Sequence, residues 1–135
     1  MRTISKIIIH CSATKEGNEI SAATIDSWHK ARGWRGIGYH YVIALTGNIE
    51  YGRPIDQSGA HTKNHNKNSI GICYIGGLDS NMKPKDTRTL DQKESMLDLI
   101  KTLKRLHPGA TVHGHNEFAA KACPCFDAYN EYCDI

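Results

Sequence analysis

The chain has 135 residues, 39% apolar and 23% charged, which fits one globular domain that buries a core without disulfide staples. Its net charge of +3 comes from 17 basic and 14 acidic side chains that are scattered rather than massed, which leaves no electrostatic footprint for nucleic acid. No apolar run is long enough to span a bilayer, and the opening residues turn strand-like too early for a secretory signal, so synthesis in the cytoplasm without a signal peptide is expected.

Residues 5–10 form a β-branched run, with Ile7, Ile8 and Ile9 together, as in a strand buried on both faces. Ser21 reads as an N-cap, with Ile25, Trp28 and Arg32 at helical spacing before Gly33. Tyr39 to Thr46 reads as a strand, Gly47-Asn48 as a turn, and Ile49 to Arg53 as the returning arm of a hairpin. Period two would put Tyr39 and Tyr41 on one face and His40 on the other. Residues 54–68 carry no period and form a long loop, a feature that usually serves function.

Ile70 to Tyr74 reads as another strand, ended by Gly76-Gly77. The longest helix runs from about Thr89 to Leu106. Thr89 and Gln92 form a capping box, and Met96, Leu97, Leu99, Ile100, Leu103 and Leu106 form one apolar face. Pro108-Gly109 stops it, a short strand over Thr111–His115 follows, and a weak helix closes the chain. Strands interspersed with helices predict a single α/β domain over residues 1–135, with a central mixed β-sheet flanked by helices.

Three clusters offer ligands for Zn²⁺: His10 at the end of the first strand, His113-Gly114-His115, and Cys123. Two imidazoles and one thiolate leave a fourth tetrahedral position open, as catalytic zinc requires. His113 and His115 share a face of a strand, and spacing alone does not choose between them. In extended chain Lys121 would lie on the same side as Cys123, where an ammonium could stabilise a developing oxyanion, and a phenol at Tyr39 could do the same. The five cysteines are odd in number, which argues against a disulfide framework. Cys11 and Cys73 read as buried thiols, and Cys125 and Cys133 are a possible pair in an oxidising compartment.

Several motifs follow in order: Ile9-His10-Cys11-Ser12-Ala13-Thr14, Trp28-His29-Lys30, Arg32-Gly33-Trp34 and Gly38-Tyr39-His40-Tyr41. After them come Gly59-Ala60-His61, Asn68-Ser69-Ile70-Gly71-Ile72-Cys73 and Lys121-Ala122-Cys123-Pro124 with Phe126-Asp127. Together they resemble the type 2 N-acetylmuramoyl-L-alanine amidases, a superfamily that includes phage amidase-type lysozymes and animal peptidoglycan recognition proteins. The resemblance implies a zinc site in a surface groove and cleavage of the amide between the lactyl group of N-acetylmuramic acid and L-alanine of the stem peptide. Carried over by position, it implies His10, His115 and Cys123 as zinc ligands, Tyr39 and Lys121 as catalytic residues, and His61, Trp34 and Asn68 as substrate contacts. Cys125 stands where that family usually has a small residue such as Ser or Gly, which raises competition for the metal.

Peptidoglycan is the partner so implied. A monomer is expected, acting on the cell wall after release or non-classical export. A non-catalytic peptidoglycan-binding module is the alternative, although such members typically lose the ligand that Cys123 would supply. A structural zinc site would need a fourth protein ligand, from His113 or Cys125.

Overall fold

The computed structural model describes residues 2–135. Strand β1 (Lys6–Cys11) is the middle of the hydrophobic run, and Ile7, Ile8 and Ile9 have no exposed surface. It is flanked in parallel by β5 (Ser69–Tyr74) and β7 (Thr111–Gly114). Strand β3 (Tyr41–Ile43) adds in parallel to β5, and β4 (Ile49–Tyr51) closes the edge antiparallel to β3. The sheet order is β4-β3-β5-β1-β7. The expected mixed sheet is present.

Helix α1 (Ala22–Ala31) starts where expected: Ser21 Oγ accepts from Thr24 N–H at 3.1 Å, and Glu50 accepts from Ala22 N–H at 2.6 Å. Helix α2 (Leu90–Leu106) carries the Thr89–Gln92 capping box, and buried Gln92 also donates to the carbonyls of Ile43 and Ile75. The cap therefore pins the helix to the ends of β3 and β5. One layer of core, with Ile7, Ile9, Ile72, Tyr74, Met96 and Ile100, packs the sheet against α2 and the short α3 (Ala128–Tyr132). The opposite layer holds Ile25, Ile37, Val42, Cys73 and Ile75, under α1.

Three expectations need correction and one an addition. Leu106, the last residue of α2, is 67% exposed, so the buried part of the apolar face ends at Leu103. Strand β5 does end ahead of Gly76-Gly77, as expected, but Gly77 opens a further strand that was not expected. This is β6 (Gly77–Leu78), which pairs with β2 (Thr14–Lys15) as a separate two-stranded sheet. The strand at Tyr39–Thr46 shortens to Tyr41–Ile43, and a bend at His40 breaks the alternation. Tyr39 therefore packs with the α1-side core while Tyr41 packs with the α2-side core.

The loop at 54–68 has no regular structure, as expected, yet it is firmly tied. Arg2 donates to the carbonyls of Ile55, Asn66, Lys67 and Ser69, and Arg53 donates to those of Ile37 and Ser58. Backbone carbonyls in a loop lack ladder partners, and guanidinium forks satisfy several at once.

Candidate functional site

The parallel strands bring their carboxyl ends to one edge, the usual place for ligands in α/β sheets. His10 is the penultimate residue of β1, and Ile9 is level with Gly114 of β7. The next step along both strands sets His10 beside His115, with ring centroids 4.5 Å apart. His115 itself lies in a 3₁₀ turn (His115–Glu117) rather than in the strand.

Cys123 reaches the same point from a turn, not from extended chain. Its Sγ is 3.9 Å from His10 Nδ1 and accepts from Cys11 N–H at 3.2 Å. One ligand atom each from His10, His115 and Cys123 lie within 4.8 Å of one another, a group that could hold a metal ion. Neither candidate for a fourth ligand joins them. His113 Nδ1 is bonded to Glu117 at 2.8 Å and its Nε2 to Thr111, while Cys125 Sγ faces Gly77 O and Cys11. All five cysteines are free, Cys133 being exposed and bonded to Asn130 O.

Burial and neighbouring positive charge keep protons off the rings. Burial pushes the His10 pKa well below the imidazole value, and His61, His115 and Lys121 lower it further. His115 is lowered by burial and then by Lys121. Both rings are neutral at pH 7 and keep a lone pair to offer. Burial also raises the Tyr39 phenol well above its usual value, so it remains a hydrogen-bond donor, with its ring 5.0 Å from that of His10.

A groove of about 460 Å³ runs from this edge, lined by Trp34, Ala60, His61, Lys63, Asn66, His115, Phe118 and Lys121 among others. Lys121 stands exposed on its wall, in a bend instead of a strand. Trp34 is 37% exposed and packs on His29, with Arg32 over its ring at 5.7 Å. His61 lines the groove yet is nearly buried, and its Nδ1 lies 2.9 Å from His10 Nε2.

Asn68 is not brought to the groove. It precedes β5 at the amino end of the parallel strands, where its carbonyl accepts from Ser5 and Lys6 N–H. Three residues of β5 separate Ser69 from Cys73, the residue level with His10. The asparagine in the groove is Asn66, whose side-chain oxygen accepts from the N–H groups of His61 and Thr62, each at 2.9 Å. Sequence reading singled out His61 and Asn68 in this loop and missed Asn66 and Thr62, because an aperiodic segment carries no pattern that tells which side chains turn inward.

Comparison with known proteins agrees with this geometry. The family model described as N-acetylmuramoyl-L-alanine amidase matches residues 1–126. The chain belongs to that family. Among relatives of the amidase is the endolysin of Klebsiella phage KP32, 40% identical over 91% of this chain and 82% of that protein. Among solved structures, the N-acetylmuramoyl-L-alanine amidase LysC from Clostridium intestinale superposes with a TM-score of 0.82 at 27% identity, covering 96% of this chain and 82% of that one. Bumblebee PGRP-SA gives 0.81 at 28% identity, covering 99% and 83%. The protein is a peptidoglycan amidase with the fold these relatives share. Among the described residues no helix is long and apolar enough to cross a membrane.

Proposed function

We propose that the amidase holds Zn²⁺ with His10, His115 and Cys123 and hydrolyses the amide between the lactyl group of N-acetylmuramic acid and the L-alanine of the stem peptide. The observation that carries this reading is the convergence of those three ligand atoms at the head of a groove that also holds Lys121. Zn–N bonds of about 2.0–2.1 Å and a Zn–S bond of about 2.3 Å need tetrahedral N···S separations of roughly 3.6 Å. The 3.9 Å between Cys123 Sγ and His10 Nδ1 is within a small side-chain rotation of that value. Two neutral imidazoles with one thiolate suit a borderline-soft cation and leave a fourth position open.

When bound, zinc supplies Lewis acidity to the scissile carbonyl and acidifies an attacking water. The protein's own groups do the rest. The Lys121 ammonium, on the groove wall, donates to the carbonyl oxygen as negative charge develops there. Tyr39, kept protonated by burial, donates to the same oxygen. Trp34 and Phe118 offer apolar walls against which the muropeptide orders.

A binding-only role is disfavoured by the joint presence of Cys123, Lys121 and Tyr39 around one point. Similarity to a phage protein named an endolysin supports action on the cell wall, reached after release or by non-classical export. Incubating purified protein with muropeptides tests both metal and bond. Free stem peptide should appear by mass spectrometry, vanish with a chelator and return with zinc. Release that persists undiminished in chelator would refute the zinc assignment, and products cut elsewhere would refute the bond.

A further inference from the structure

His10 can face a cation through Nδ1 only if that nitrogen is bare, so the ring proton must sit on Nε2 and needs an acceptor. In metal sites that acceptor is usually a carboxylate, a carbonyl or water. Here it is another imidazole: His10 Nε2 lies 2.9 Å from His61 Nδ1, in the buried interior. Two facing ring nitrogens cannot both carry protons. His61 Nδ1 must therefore be bare, and its own proton goes to Nε2, which lies 3.2 Å from the oxygen of fully buried Ser69. The Thr62 hydroxyl, 3.0 Å from His61 Nδ1 and 3.3 Å from His10 Nε2, fills the remaining gap. A single tautomer assignment thus satisfies every contact along Ser69, His61 and His10.

The His61 ring is also closely packed against backbone. A Cβ added at Gly71 would sit 2.6 Å from His61 Cδ2, and one at Gly59 would sit 2.5 Å from the same atom. Glycine at both positions lets the backbone approach the ring near Cδ2, and Asn66 accepts from the His61 backbone N–H. A side chain packed and hydrogen-bonded in this way acts on its neighbour with little entropy left to lose.

We propose that His61 is a positioning residue of the zinc site: with Ser69 behind it, it locks His10 in the Nε2–H tautomer and keeps Nδ1 free for the metal. This rests on the reading of His10 as a zinc ligand, and it gives His61 a role other than touching substrate. A neutral acceptor also orients His10 without the added negative charge a carboxylate would bring.

The test combines chelator-competition titration of zinc with ¹⁵N NMR of the histidine rings in the intact chain. Wild type, metal-free and zinc-loaded, should give His10 as the Nε2–H form. His61→Phe should weaken zinc binding by about 10- to 100-fold, as loss of an outer partner does, and should mix the His10 tautomers. His61→Asn, whose side-chain oxygen can take the place of Nδ1, should recover most of the affinity. A merely space-filling role would rank those two variants the other way. Ser69→Ala should shift the His61 tautomer with a smaller loss. The proposal is overturned if wild-type His10 carries its proton on Nδ1, a result that needs no variant to fold, or if His61→Phe binds zinc as tightly as wild type. His10→Ala separates the two readings. Unchanged zinc affinity there sinks the metal site itself, whereas lost affinity with His61→Phe unaffected sinks only the positioning role.

Discussion

The Arg88 guanidinium lies flat on the Phe126 ring, its Cζ 3.4 Å from the centroid, with the Arg88 side chain 1% exposed. All five of its N–H donors are used: by both oxygens of Asp86, both oxygens of Glu131 and the Tyr132 hydroxyl. A buried charge is tolerated only when paired and saturated in this way. The contact joins the segment before α2 to α3 and to the turn that carries Cys123, so it supports the ligand loop from behind.

Arg88→Ala should therefore lower stability by about 3 kcal/mol, the low end for breaking a buried pair. The low end applies because the Asp86 and Glu131 side chains are 30% and 42% exposed and water can solvate them once the arginine is gone. Urea denaturation should give a lower midpoint with an unchanged slope. Zinc affinity should fall as well, since the turn at Cys123 loses its backing. A midpoint within error of wild type would show that the stack carries no stability.

Acid should destabilise the metal-free protein in two stages. Burial lowers the His40 pKa to about 4 and that of His61 to about 3. The unfolded chain binds these protons first, near pH 6.5, so stability is complete above that pH and falls as pH drops toward the folded values. The slope should approach about 1.4 kcal/mol per pH unit for each histidine. Glu131, held down by its bonds to Arg88, and Asp86, lowered by the same guanidinium against the opposing effect of burial, add a second loss. Their contribution is present above the ordinary carboxylate values of 4.5 and 3.8 and disappears as pH falls through the lower folded ones. Urea midpoints followed from pH 7 to 3 check both stages, and Arg88→Ala should flatten the second alone.

Lys121→Ala should leave zinc bound and the fold intact but slow turnover by about a hundredfold to a thousandfold, the usual cost of one oxyanion donor. Its side chain is exposed on the groove wall and supports no core packing. Wild-type turnover on muropeptide would remove it from the chemistry.

Tyr39→Phe keeps the ring that packs at 5.0 Å on His10 and deletes only the hydroxyl. Stability should change little while turnover falls by about a hundredfold. If the main change were instead in KM, the phenol would act in ground-state binding rather than on the developing charge.

Cys123→Ser exchanges a soft donor for a hard one while keeping the turn. Zinc affinity, measured by competition, should drop by more than the about 10- to 100-fold expected for an outer partner. A Cys123→Ser protein that holds zinc as wild type does would exclude the thiolate from the site.

What the sequence by itself determined was local. Three consecutive isoleucines required a doubly covered strand that carries His10 near its end, and Thr89 with Gln92 announced the start of α2, because period and cap chemistry act within a few residues. The ordered motifs also named the family without help from coordinates. Spacing left open which imidazole of His113 and His115 stands beside His10; the resemblance implied His115, and the register of β7 on β1 is what brings it there. Tertiary structure alone turned Tyr39 away from Tyr41 at the His40 bend, put Asn66 rather than Asn68 in the groove, and buried His61 against His10. Each of those depends on contacts between segments tens of residues apart, where strand pairing and loop packing outweigh any pattern a short window can carry.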